Sequence, residues 1–158
     1  MQYRTLGKDK TKVSILGFGC MRLPVLKEDP NQINEAEAIR QIRHGIDGGI
    51  NYIDTAYPYH YGQSEPLVGK ALKDGYRERI QLATKLPSYL VKTRQDMDRY
   101  LDEQLERLQT DHIDFYLLHA LNQTHWDNYV KLDVFDFLDK ALASGKIRHA
   151  GFSFHDEL

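Results

Sequence analysis

Short apolar runs alternate with stretches whose apolar residues recur every three or four positions, the pattern of parallel strands joined by helices. Strands are expected at residues 13–18, 50–53, 80–84, 113–118 and 147–154. The first helix takes Asn34 as N-cap with Glu37 three residues on, the outline of a capping box. It sets Ile39, Ile42 and Ile46 on one face and stops at Gly48-Gly49. A second helix starts at Ser64 with Pro66 in its first turn, buries Val68, Ala71 and Leu72, and ends at Asp74-Gly75. Thr93 caps a third, whose Met97, Tyr100, Leu101, Leu105 and Leu108 form a continuous stripe. A fourth carries Phe135, Leu138 and Leu142 and closes at Ser144-Gly145. Residues 1–12, with Leu6-Gly7-Lys8-Asp9 as a turn, read as a hairpin ahead of the first strand.

Cys20, Asp54, Lys85, His119 and Ser153 stand at or just past the ends of the five strands and recur every 31 to 34 residues. Near-constant βα units with polar residues at each strand's C-terminal end point to a (β/α)8 TIM barrel, an α/β fold whose active site gathers on that face. A doubly wound open sheet also repeats βα units, but it normally carries a Gly-rich phosphate loop after the first strand. Here Gly17-Phe18-Gly19-Cys20-Met21-Arg22 does not complete G-x-G-x-x-G, and no helix begins there. Eight units need about 250 residues. The expectation is therefore a single domain over residues 1–158, the N-terminal part of an incomplete barrel: a hairpin plus about five strands and four helices. Its open sheet edges would be liable to pair.

Composition narrows the function classes. A chain of 158 residues with 41% hydrophobic and 28% charged residues is ordinary for one globular domain. The net charge of −2 offers no basic face to nucleic acid or an anionic membrane. A single cysteine, Cys20, allows neither an intrachain disulfide nor a cysteine-rich zinc site. The seven histidines include no pair three or four apart that would place two metal ligands on one helix face, so no metal site is expected. Met1-Gln2-Tyr3-Arg4 lacks the apolar core of a secretory leader, and cytoplasmic localisation is expected. The tail His155-Asp156-Glu157-Leu158 spells an endoplasmic-reticulum retention signal, which is not read without prior targeting.

The candidate chemistry centres on a phenol. Asp54 and Tyr59 stand five positions apart, and Lys85 and His119 end the next two strands. A free phenol has a pKa of about 10, and a neighbouring ammonium favours the phenolate. Lys85, paired with Asp54, can so prepare Tyr59 to give a proton to a carbonyl oxygen as hydride reaches the carbon, with His119 donating to the same oxygen. Each residue alone has an ordinary reading: a packing tyrosine, a turn-capping aspartate, a solvated lysine, a hydrogen-bonded core histidine. Their convergence on consecutive strand ends favours the site. Cys20 reads by default as a buried, inert thiol, and Trp126 as either a substrate-loop aromatic or a loop anchor.

Tyr3-Arg4-Thr5-Leu6-Gly7-Lys8, Gly17-Phe18-Gly19, Asn51-Tyr52-Ile53-Asp54-Thr55-Ala56, Tyr59, Ser64-Glu65, Ala83-Thr84-Lys85, His112-Ile113-Asp114, Leu117-Leu118-His119 and Gly145-Lys146-Ile147-Arg148 occur in the order seen in aldo-keto reductases. The chain resembles that family over essentially its whole length. The resemblance implies a catalytic tetrad of Asp54, Tyr59, Lys85 and His119; of the nearby phenols Tyr57, Tyr59 and Tyr61, only Tyr59 has the family's spacing from Asp54. It implies NADPH bound without a Rossmann fold across the C-terminal mouth of the barrel, with Gly19, Cys20, Met21, Arg22, Asp54 and Ser153 as cofactor-binding positions and a small carbonyl compound as substrate. Phe154 departs from the family, which often has Asn there. Tyr57-Pro58-Tyr59-His60 is similar to a bacterial or archaeal subgroup, some of whose members carry an iron–sulfur module; one cysteine cannot hold such a cluster. The family's adenosine-phosphate site comes from later strands, so this length implies a piece poorly active by itself. A slow redox-sensing regulatory subunit and a self-associating half-barrel are the alternatives.

Overall fold

Tyr3–Leu6 (β1) and Thr11–Ser14 (β2) pair antiparallel into a hairpin in the computed structural model, which describes residues 1–29 and 31–156. The hairpin turns at Gly7, whose positive φ of 73° suits a residue without a side chain. It docks against the segment leading into the second barrel strand. Tyr3 OH donates to Gly49 O at 2.9 Å, Ser14 N to Asn51 Oδ1 at 2.7 Å, and Asn51 Nδ2 to Lys12 O at 2.9 Å.

Five parallel strands follow: Phe18–Gly19 (β3), Tyr52–Asp54 (β4), Gln81–Leu86 (β5), Ile113–Leu121 (β6) and Ile147–Phe154 (β7). They lie side by side in chain order. Right-handed crossovers between strands added always in the same direction put every helix on the same face, whereas a doubly wound sheet reverses its order and covers both. The helices are Glu35–Asp47 (α1), Ser64–Ala71 (α2), Arg94–Leu108 (α3), Gln123–Lys131 (α4) and Val134–Ala143 (α5). The arrangement is an arc of a (β/α) barrel. Ile53, Leu82, Leu86, Tyr116 and Leu118, facing the helices, are buried. The alternate residues line the opposite, inner face, where the Phe115 ring meets Tyr52 at a tilt, 5.3 Å away, and stacks on His149 at 4.6 Å.

Two expectations about element ends need correction. The apolar run 13–18 is not one strand. Val13 and Ser14 belong to the hairpin, Ile15 and Leu16 are exposed, and the barrel strand is only Phe18–Gly19. Ser14 Oγ–H bonds to Leu16 O at 2.7 Å and bends the chain between the two. The box at α1 is half formed: Asn34 Oδ1 accepts from Glu37 N, but the Glu37 carboxylate engages Arg40 and Gln41 instead. The full capping box belongs to Thr93 and Asp96 of α3, whose predicted stripe is buried throughout.

The fifth helix, α4, was not predicted, and it shifts the face of α5. Val134, Phe137 and Ala141 enter the core, while Phe135 is 58% exposed and meets Trp126 of α4 edge to face at 5.8 Å. Trp126 therefore anchors the α4–α5 pair. Among the described residues no helix is long and apolar enough to cross a membrane. Glu157 and Leu158, the end of the retention-like tail, lie outside the described residues.

Candidate active site

Register decides which side chains meet at the C-terminal edge of the sheet. Asp54 pairs with Ala83, so Lys85, two residues on, projects from the same inner face one step beyond the end of β4. Lys85 is buried, and its ammonium has three acceptors: Asp54 Oδ1 at 2.7 Å, Thr55 O at 2.8 Å and Tyr59 OH at 3.3 Å. An ammonium has three hydrogens to donate, so the burial of this charge is compensated bond for bond.

Tyr59 opens a kinked turn, Tyr59–Gly62, in which His60 and Tyr61 take left-handed φ of 50° and 53°. That reversal is held by His60 Nε2, which accepts from Leu23 N at 2.9 Å, and it delivers the chain to Ser64 at the start of α2. Tyr57 points elsewhere: its hydroxyl meets Glu103 at 3.1 Å and its ring lies under Arg107 of α3. Tyr61 is 74% exposed.

His119 comes from the next strand, and its ring stands edge-on to that of Tyr59, centroids 6.0 Å apart at 82°. Burial, together with the Lys85 charge and the nearby His155 and His125, holds the imidazole down at about 4, so it is neutral at physiological pH. Its Nδ1 is buried with no hydrogen-bond partner among the described residues. Asp54, Tyr59, Lys85 and His119 thus form one cluster: an ion pair, a phenol touching its cation and a neutral imidazole beside the phenol. Such a set can move a proton at the phenol oxygen and stabilise the charge left behind.

The remaining sequence-predicted positions surround this cluster. Gly19 and Met21 are exposed, as is Arg22. An added Cβ at Gly19 would meet nothing within 4 Å. Cys20 lies next to Asp54 through its backbone N–H, 2.7 Å from Asp54 O, but its thiol is fully buried, and desolvation, with Asp54 adding and Lys85 opposing, pushes it well above the ordinary thiol range. Ser153 Oγ accepts from Ala120 N at 2.8 Å. Among the described residues no group of three or more His, Cys, Asp or Glu is placed to hold a metal ion.

Behind the cluster is a buried network that sequence reasoning missed. Gln104 of α3 sets its Nε2, with two hydrogens to share, within reach of three acceptors, Lys85 O and Thr84 Oγ1, each at 3.1 Å, and Glu65 Oε1 at 2.5 Å; its Oε1 accepts from Tyr116 OH at 2.8 Å. Thr84 Oγ1 also donates to Glu65, whose second oxygen faces Arg107 at 3.5 Å. Burial raises the Glu65 carboxyl above its ordinary value, against the hydrogen bonds of Thr84 and Gln104. Ser64 Oγ, bonded to Thr55 and Cys20 O, ties α2 to the strand ends in the same way. The signal for Gln104 was available as the one polar residue inside the apolar stripe of α3.

Residues 15–157 match the description "Aldo/keto reductase family". The chain is 36% identical over 157 residues to a probable aldo-keto reductase 1 of Glycine max, covering 94% of this chain and 43% of that protein. It is 37% identical over 163 aligned positions to the aldo-keto reductase YhdN of Bacillus subtilis, covering 97% and 47%. The chain thus spans about half the length of these relatives. Among solved structures, it superposes on the holo form of aldo-keto reductase AKR11C1 from Bacillus halodurans with a TM-score of 0.79 at 35% identity, covering 98% of this chain and 50% of that one. An aldo/keto reductase from Klebsiella pneumoniae, in complex with NADP and acetate, gives 0.76 at 30% identity, covering 99% and 51%. With the hairpin, the five consecutive parallel strands and the family match over nearly its whole length, this chain belongs to the aldo/keto reductase family.

Proposed function

We propose that residues 1–158 form one folding unit that carries the acid–base part of an NADPH-dependent carbonyl-reducing site. Tyr59 gives its phenolic proton to the carbonyl oxygen of an aldehyde or ketone and takes it back in the reverse direction. Lys85 donates to the same phenol oxygen and stabilises the charge left there, and Asp54 holds Lys85 in place. His119, neutral, donates a hydrogen bond that orients the carbonyl oxygen. When bound, NADPH supplies the hydride.

The nicotinamide end of the cofactor is compatible with the residues present. The buried, unpartnered Nδ1 of His119 and the Ser153 hydroxyl, which accepts from Ala120 and keeps its proton to donate, suit a polar group, and the open Cα of Gly19 allows close approach. Gly19, Cys20, Met21, Arg22, Asp54 and Ser153 are the positions assigned to it. We assign no position among the described residues to the adenosine end. The observation that carries the reading is the Lys85 ammonium, which joins Asp54 and the Tyr59 hydroxyl in one contact set. A relative solved with NADP and acetate supports the cofactor.

The test is NADPH oxidation by this chain with a panel of aldehydes, beside a fluorescence titration of NADPH. Slow turnover that Tyr59→Phe abolishes, with weak cofactor binding, is expected. Turnover surviving in Tyr59→Phe removes Tyr59 from the role, and tight NADPH binding contradicts leaving the adenosine end unassigned.

A second reading, self-association, rests on β7. This strand pairs only with β6 among the described residues, and Phe152 and Phe154 are 61% and 41% exposed on its outer face. Exposed apolar side chains on an edge strand invite pairing. Sedimentation should show concentration-dependent dimers that Phe152→Lys weakens; a monomer at all concentrations rejects it.

A further inference from the structure

The strand β6 does not run straight through His119. It pairs in register with β7 up to Leu118 opposite Phe152, then resumes at Leu121 opposite Phe154, so it holds one extra residue between those pairs. Ala120 takes φ of 48°, an uncommon conformation for a residue with a side chain. A bulge re-aims the side chain it carries, and its backbone groups leave the ladder and need other partners. Here three of them find side chains. The His119 carbonyl accepts from Ser88 Oγ at 2.5 Å, Ala120 N donates to Ser153 Oγ at 2.8 Å, and Ala120 O accepts from His125 Nδ1 at 3.0 Å.

Ser88 is itself held. Its Oγ accepts from Tyr129 OH at 2.8 Å, and both residues are buried. Tyr129 belongs to α4, the helix absent from the sequence prediction, and its phenyl ring fills the core while its hydroxyl ends at Ser88. The order Tyr129, Ser88, His119 carbonyl is a relay of directed bonds. Tyr129 fixes which way the Ser88 proton points, and Ser88 fixes the peptide that turns the imidazole towards Tyr59.

We propose that Ser88 and Tyr129 are positioning residues for His119, acting through its carbonyl to hold the bulge that sets the His119 ring edge-on to Tyr59. Neither touches the reacting atoms. The proposal rests on the assignment of Tyr59 and His119 to one site, and it gives a role to the single buried residue of the helix that follows β6.

The test compares Ser88→Ala, Tyr129→Phe and the double variant in this chain, using the NMR cross-relaxation between His119 and Tyr59 ring protons. A strong but incomplete weakening of that cross-peak is expected in Ser88→Ala and a smaller one in Tyr129→Phe, with the far-ultraviolet spectrum unchanged. Once Ser88 is gone, Tyr129→Phe should add nothing, because the relay has been cut. Additive effects, or an intact cross-peak in folded Ser88→Ala, overturn the proposal. If Ser88→Ala fails to fold, Tyr129→Phe alone decides: a full-strength cross-peak rejects the relay. The readout needs no turnover, so loss of the Tyr59 assignment in the aldehyde assay and loss of the relay are separate results. Where turnover is measurable, a shift under 1 Å should lower kcat on the order of tenfold with KM little changed.

Discussion

Lys85 Nζ lies 2.7 Å from Asp54 Oδ1 across two neighbouring parallel strands, and the same ammonium spends its other two hydrogens on Thr55 O and Tyr59 OH. The lysine is almost wholly buried whereas the aspartate side chain is 27% exposed. The two partners therefore differ in how much each needs the other. Water can still reach Asp54; it cannot replace Asp54 for Lys85.

That asymmetry predicts the order of two substitutions. Asp54→Asn leaves a buried ammonium with only neutral acceptors and should cost about 1–3 kcal/mol, the range for an under-satisfied buried group. Lys85→Met removes the charge and leaves a partly hydrated carboxylate, so it should cost less than Asp54→Asn and well below the ~3–5 kcal/mol of breaking a fully buried pair. The double variant should cost less than the sum of the two. Urea unfolding of the four chains checks this; strict additivity would mean that the pair does not interact.

Gln104 should be the most sensitive polar position in the core. It satisfies four partners on three elements: Tyr116 OH, Thr84 Oγ1, Glu65 Oε1 and Lys85 O. Gln104→Leu keeps the shape but takes the acceptor from the Tyr116 hydroxyl, while Thr84 Oγ1 and Glu65 Oε1 keep only each other, at about 1–3 kcal/mol for each group left unpaired. Adding Tyr116→Phe, which removes one stranded hydroxyl, should recover part of the loss. Thermal unfolding of the single and double variants shows the recovery or its absence.

What was legible in the sequence follows from how each element is buried. β5, with Leu82, Ala83 and Leu86, and β6, with Ile113 and the run Phe115-Tyr116-Leu117-Leu118, are buried over most of their length and leave apolar-rich segments to find, and the α3 stripe has one clear period. The four acid–base residues could be placed on one rim because three of them end consecutive strands, a matter of spacing alone. By contrast, β3 is two residues long and α4 buries only Tyr129, so neither leaves a pattern to find. Missing α4 put the α5 face one residue out of phase, because Phe135 is apolar for the sake of Trp126 rather than the core. The β6 bulge was hidden for another reason: nothing in Leu118-His119-Ala120-Leu121 announces a positive φ at an alanine.

Gly69 of α2 sits directly against the backbone of α3. A Cβ there would fall 2.8 Å from the carbonyl oxygens of both Arg107 and Leu108, which are backbone and cannot rotate aside. Gly69→Ala gains about 1 kcal/mol of helix propensity but loses about 1–3 kcal/mol to overpacking. The net effect should be destabilising, and α3 should move away from α2, loosening the Glu65–Gln104 contact. A Tm equal to or above that of the parent chain would show that the two helices can part without cost.

His119 sets a pH dependence whose sign can be worked out. Its folded value, held at about 4 chiefly by burial, lies below the ordinary histidine value near 6.5. Between those two limits the unfolded chain binds a proton that the folded chain refuses, so stability attributable to this residue is full above about pH 6.5 and declines as pH falls towards 4. The Lys85 charge beside it acts in the same direction, because a second positive charge there is unfavourable. His119→Asn should therefore flatten the stability profile over that window while changing little at pH 8, apart from any cost of repacking. Denaturant midpoints measured at pH 8, 6 and 4.5 for both chains test this. A parent profile as flat as that of the variant would mean that the imidazole reaches water and protonates in place.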